Sequence, residues 1–116
     1  MLQSGHKHWD IYQQAVLLTK ELYRITESFP DTERAVLTYS LRRLAVSLCQ
    51  NLATGFISGG KKQARIFKIC VADCVAIDTQ LELAQAVNLI AIETVKPAAQ
   101  LLNEIYKKLT ESFKEE

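Results

Sequence analysis

Residues 41–55 read LRRLAVSLCQNLATG, and the rest of the chain is organised around them. Leu41, Leu44, Leu48 and Leu52 recur three and four apart, the period of one helix face. Ala45, Ser47, Asn51 and Ala53 lie among them, and Gly55 closes the run. Small residues let neighbouring helices approach, so this helix is predicted to be packed on more than one side. The pair Arg42-Arg43 that opens onto it needs carboxylate or phosphate partners.

Working outward, the same leucine row extends back through Leu37, and a helix is predicted from Pro30 to Ile57. Pro30 suits a first helical position, with Asp31 and Glu33 facing the positive end of the dipole. Ser58-Gly59-Gly60 supplies a stop and a tight reversal. Upstream, Ile11, Ala15, Leu18, Leu22, Ile25 and Phe29 step by fours and threes, with Trp9, Tyr12, Val16 and Tyr23 beside them, which predicts a helix from Trp9 to Phe29. Downstream, a third helix from Lys61 to Val87 starts basic and becomes apolar almost all round: only Lys68 and Asp73 are polar between Ile66 and Ile77. A helix apolar on every side needs a partner beyond one small bundle, so a subunit interface is expected there. Asn88 marks a turn. A fourth helix carries Leu101, Leu102, Ile105, Tyr106, Leu109 and Phe113, and with Thr94 as N-cap Pro97 falls where no intrahelical donor is lost. The expected fold is all-α: one domain over residues 1–116, an antiparallel up-down-up-down four-helix bundle, with residues 1–7 frayed and a short charged end, Lys114-Glu115-Glu116.

Composition narrows the function. The 116 residues hold 14 Lys and Arg against 13 Asp and Glu, a net charge of +1, so the chain as a whole lacks the strongly basic field of a general nucleic-acid binder. Cys49, Cys70 and Cys74 lie in apolar runs; an odd number of cysteines, with no apolar leader in MLQSGHKHWD, predicts reduced thiols in a cytoplasm. No uninterrupted apolar run approaches the roughly 20 residues of a membrane span.

Three constellations invite chemistry. Asp78 and Glu82 are neighbours on a helix face and could join Asp73, Arg42 and Arg43, but no nucleophile, phosphate loop or third oriented group accompanies them, and structural ion pairing is the expectation. Cys70 and Cys74, with His6 or His8, could form a metal site. However, Phe67, Cys70, Cys74, Ile77 and Leu81 make one apolar row, which predicts core packing and no metal. Lys61, Lys62, Arg65 and Lys68 occupy the first two turns of the third helix. Lysine there opposes the dipole, so helix stability does not explain the cluster; its alternatives are a solvated helix end and a phosphate-contacting surface repeated around a ring of subunits. Tyr12, Tyr23, Tyr39 and Tyr106 do not interleave with it, which leaves base stacking without an evident platform.

Together the segments resemble the four-helix bundle proteins encoded by intervening sequences of bacterial 23S ribosomal RNA genes. The first helix of that family carries a tryptophan, an alanine and then a Phe-Pro pair, answered by Trp9, Tyr12, Ala15, Tyr23, Phe29 and Pro30. Its second helix reads roughly LRRAAxSIPxNIAEG, matched by Leu41, Arg42, Arg43, Ala45, Ser47, Leu48, Asn51, Leu52, Ala53 and Gly55. Its ELETQL corresponds to Ala76-Ile77-Asp78-Thr79-Gln80-Leu81. The resemblance implies a homopentamer. Distant relatives include the accessory protein of diversity-generating retroelements, which binds nucleic acid and a reverse transcriptase through a basic surface. This chain departs from the pattern at Cys49, Thr54 and Ala76, and the last two remove acids that could have met the arginines. Asp73 or Asp78 is then the expected partner of a buried Arg42 or Arg43.

The resulting expectation is a non-enzymatic, oligomeric bundle without cofactor, metal or small-molecule substrate. It binds RNA, DNA or a nucleic-acid enzyme such as a reverse transcriptase through Lys61, Lys62, Arg65 and Lys68, while Arg42, Arg43, Asn51, Asp73 and Asp78 form a structural polar network. The alternative is a protein-interaction module with no nucleic-acid contact, which the near-neutral charge favours.

Overall fold

Rows of apolar residues at helical spacing form the interior of the molecule. In the computed structural model, which describes residues 1–114 and the side chains of 1–111, they lie on four helices: α1 (Asp10–Glu27), α2 (Tyr39–Ser58), α3 (Gly60–Ala86) and α4 (Ile92–Lys114). No strand occurs among the described residues. The core row expected for the first helix is buried from Ile11 to Phe29, as are Leu41, Leu44, Leu48 and Leu52 of α2. Cys70, Cys74, Ile77 and Leu81 face them from α3, and Ala98, Leu102, Ile105 and Leu109 from α4. Each fully buried leucine or isoleucine contributes about 1.5–3 kcal/mol relative to exposure. The place expected for Phe113 and the charged end Lys114-Glu115-Glu116 lie outside the described residues and side chains.

The helices form a four-membered ring in which α1 and α3 each pack on both α2 and α4. Along α1 and α4, Lys108 Nζ donates to Asp10 at 2.7 Å, Gln14 pairs with Glu104, and Arg24 reaches the Thr94 carbonyl. Along α1 and α2, Trp9 meets Phe56, Thr19 meets Cys49 and Thr26 meets Arg42. Two turns need special backbone. Gly59 and Gly60 have φ of 71° and 59°, which glycine adopts without a Cβ penalty. Asn88, at φ 64°, ends α3 in a Schellman arrangement: Leu89 N–H donates to the Ala84 carbonyl and Asn88 N–H to that of Gln85.

Three boundaries differ from expectation. The second helix does not start at Pro30, which is extended. A 3-10 turn (Asp31–Glu33) and a π-helical turn (Arg34–Thr38) precede α2. This wider winding leaves Leu37 against the core and Val36 in solvent. The fourth helix starts at Ile92, ahead of Thr94, so Pro97 sits inside it. Burial of Ile90 and Val95 anchors that early start, and Pro97 is exposed, where the Glu93 carbonyl it leaves unpaired can meet water. The N-terminus, expected to fray through residue 7, instead carries a 3-10 turn at Gly5–His8. There His6 is buried edge-on against Tyr12, with ring centroids 4.9 Å apart, and its Nδ1 lies 2.9 Å from Ser4 Oγ.

Candidate functional site

The turn at Gly59-Gly60 delivers Lys61, Lys62, Arg65 and Lys68 onto the first two turns of α3, and all four are exposed. None has a carboxylate partner among the described residues, whose ion pairs are Arg24–Glu21, Arg34–Asp31, Arg42–Glu27 and Lys108–Asp10. The first turn of α3 contains no acid, so these cations add to the positive end of the helix dipole. Gln63 ties this end together by donating from Nε2 to the Gly55 carbonyl at 2.9 Å. Gly55 is required by close approach: a Cβ there would stand 2.5 Å from Phe67 Cε1. Trp9 stacks on Phe67 at 5.6 Å and tilts against Phe56 at 5.2 Å, forming an aromatic cluster at the same end of the bundle. The tyrosines do not reveal this cluster in the sequence, because its three rings come from three separate segments.

The arginine pair divides. Arg42 turns towards α1: its Nε donates to Thr26 Oγ1 at 2.9 Å, its Nη2 lies 3.3 Å from Glu27, and its guanidinium covers the Tyr23 ring at 4.5 Å. The acid it meets is therefore Glu27, not Asp73 or Asp78. Successive residues on a helix point about 100° apart, so Arg43 turns away from α1; its exposed guanidinium forms no hydrogen bond to another described residue, and its charge acts on Asp73. Between α2 and α3, Ser47 Oγ donates to Asp73 at 2.8 Å and Asn51 Nδ2 donates to Ser47 Oγ at 3.2 Å. Burial raises the Asp73 carboxyl above the usual carboxylate range, opposed by these hydrogen bonds and by the Arg43 charge. Farther along, Gln80 donates to Ser40 at 2.8 Å, while its buried Oε1 has no hydrogen-bond partner among the described residues. Asp78 forms no ion pair with either arginine among the described residues and instead lines, with Cys74, Asn103 and Tyr106, a hollow of about 230 Å³. Sequence spacing gave no sign of Thr26 or Glu27, because their pairing with Arg42 is between helices.

Cys70 and Cys74 are buried, and burial pushes both thiols up to about 12, so they stay protonated near neutrality. Among the described residues no group of three His, Cys, Asp or Glu side chains is arranged to hold a metal, and no helix is long and apolar enough to cross a membrane. Asp78 and Glu82 are both exposed. The outer side of α3 leaves Ile69, Val75 and Leu83 47–52% exposed.

A protein-family model described as 23S rRNA-intervening sequence protein matches residues 7–111, nearly the whole chain. No curated protein matches it.

Proposed function

The chain belongs to the 23S rRNA-intervening sequence protein family, which is not a known enzyme family, and from that premise we propose a non-enzymatic, cytoplasmic protein that works by binding nucleic acid or a nucleic-acid-processing partner. The observation that carries this reading is the set Lys61, Lys62, Arg65 and Lys68: four exposed cations at one helix end, without carboxylate partners among the described residues. A net charge of +1 gives a single copy little long-range attraction for phosphate. Assembly changes this. In a homopentamer the patch repeats around the axis, and its fields add. The exposed Ile69, Val75 and Leu83 support such an assembly, since burial against a second copy would remove their apolar surface from water.

The topology belonging to this reading is an antiparallel up-down-up-down bundle. Support comes from contacts that run in opposite order along neighbouring helices, Asp10 with Lys108 and Arg24 with Thr94. Arg42, Asn51 and Asp73 serve to hold α2 against its neighbours and set their register, with the Arg43 charge acting on Asp73 from the surface; Asp78 serves as a solvated charge on α3. A reverse transcriptase is the nucleic-acid enzyme to which the resemblance points.

Fluorescence anisotropy with single-stranded RNA and duplex DNA tests the proposal. Affinity is expected to fall linearly on logarithmic axes as salt rises, and each of K61Q, K62Q, R65Q and K68Q should reduce that slope by roughly one where its cation meets a phosphate. Binding indifferent to salt and to the fourfold variant overturns nucleic-acid contact through this surface. A protein-interaction module would then stand in its place.

A further inference from the structure

At the far end of α2 from the lysine cluster, an open groove of about 470 Å³ runs along the outer side of the helix, within the roughly 300–1,000 Å³ range of small-ligand clefts. Arg34, Arg42 and Arg43 line it with Tyr23, Tyr39 and Gln50, and among the described residues no carboxylate contributes to its wall. We propose that this groove binds a nucleotide, with the guanidinium groups holding the phosphate and Tyr39 stacking on the base. The site is separate from the α3 cations and does not rest on the nucleic-acid reading above.

Three independent features converge there. Arg42 is held in place before any ligand arrives, by the Thr26 hydroxyl at 2.9 Å and the Tyr23 ring at 4.5 Å, so little side-chain freedom remains to be lost on binding. Arg43 brings a guanidinium with no hydrogen bond to another described residue; the neighbouring Asp73 carboxylate is engaged by Ser47 at 2.8 Å. The π-helical turn Arg34–Thr38 places Arg34 and Thr38 on the groove with Arg42, and such wide turns are frequent at functional sites. The acids that meet Arg34 and Arg42 are Asp31 and Glu27, which line an adjoining hollow of about 490 Å³. Their side chains are 93% and 83% exposed, so these pairs are weak enough for a bidentate phosphate to displace.

The aromatic half of the ligand follows from Tyr39. It is 62% exposed, and a ring held on a helix in this way is a stacking platform for any base. A bare phosphate would leave that ring unused. The same chemistry is offered by a free mononucleotide and by the phosphorylated end of an RNA strand.

Calorimetric titration of the intact protein with AMP, adenosine and inorganic phosphate tests the assignment. AMP is expected to bind saturably at one site per chain and more tightly than either fragment. R43A should weaken AMP by about tenfold or more, the usual scale for losing a charge-assisted hydrogen bond. Y39A should weaken AMP while sparing phosphate. Both residues are exposed, and far-UV circular dichroism checks that the variants remain folded. The K61Q/K62Q/R65Q/K68Q chain should bind AMP unchanged, so the two surfaces fail independently. Selection of a 5′-phosphorylated over a 5′-hydroxyl oligonucleotide, lost in R43A, assigns the strand end as the source; AMP binding without that selection assigns the free nucleotide. The proposal is overturned if AMP shows no saturable binding at millimolar concentration, if adenosine or phosphate binds as tightly as AMP, or if R43A leaves AMP affinity unchanged. In the last case, altered light scattering of R43A would identify the groove as a contact between copies.

Discussion

Asp73 carries its charge into a half-buried seam between α2 and α3, where desolvation outweighs the Ser47 and Asn51 hydrogen bonds and the pull of Arg43. Its carboxyl therefore holds a proton more tightly in the folded chain than in the unfolded one. Folding stability contributed by this group falls as pH rises from the unfolded value of about 3.9 through the raised folded value, and is level above it. D73N keeps an oxygen for Ser47 and removes the charge. We expect it to match the parent in acid and to be the more stable chain at neutral pH, measured as the urea midpoint at both. A variant that loses ground as pH rises would show that the Arg43 attraction wins. At this scale the sequence was partly legible. Ser47 bonds Asp73 and Asn51 bonds Ser47, with the Arg43 charge acting on the same carboxyl, but the acid facing Arg42 is Glu27, because a helix sends neighbouring side chains towards different partners.

Gly55 governs how closely α2 and α3 approach. With Phe67 Cε1 2.5 Å and Phe67 Cδ1 2.9 Å from the place of a Cβ, G55A must push the ring away from Trp9 or splay the helices. The expected cost is about 1–3 kcal/mol, read as a lowered denaturant midpoint at unchanged m-value. A neutral G55A would show that the ring has room to retreat. The periodicity that marks helix interiors identified all four helices, since burial of a continuous stripe is a property of many residues at once. It placed the starts of α1 and α3 within a residue but not those of α2 and α4. Pro30 and Thr94 have the composition of helix openings, yet neither cap side chain is the deciding force: packing of Leu37, Ile90 and Val95 sets where winding begins, with a π-helical turn before α2 and Pro97 inside α4 as the result.

For the whole molecule, the exposed apolar side chains of α3 connect the bundle to its proposed assembly. Leu83 is 52% exposed in the single chain, so L83E should change the stability of one copy by no more than about 0.5 kcal/mol. In a homopentamer the same change places a carboxylate in an apolar contact. Light scattering should then report a smaller species with unchanged helix content, and salt-dependent RNA affinity should drop with it as the patches separate. An L83E chain of unaltered mass would place the interface elsewhere. What the sequence determined by itself was the all-α class, the four core rows and the family, because hydrophobic period and motif order are carried by the linear chain. Only the tertiary structure decided that Arg42 faces α1 while Arg43 turns away from it, that Trp9, Phe56 and Phe67 meet at one end, and that three arginines and two tyrosines border one groove. Those placements depend on how far each helix is rotated and where it begins, and packing against neighbours distant in the chain sets both.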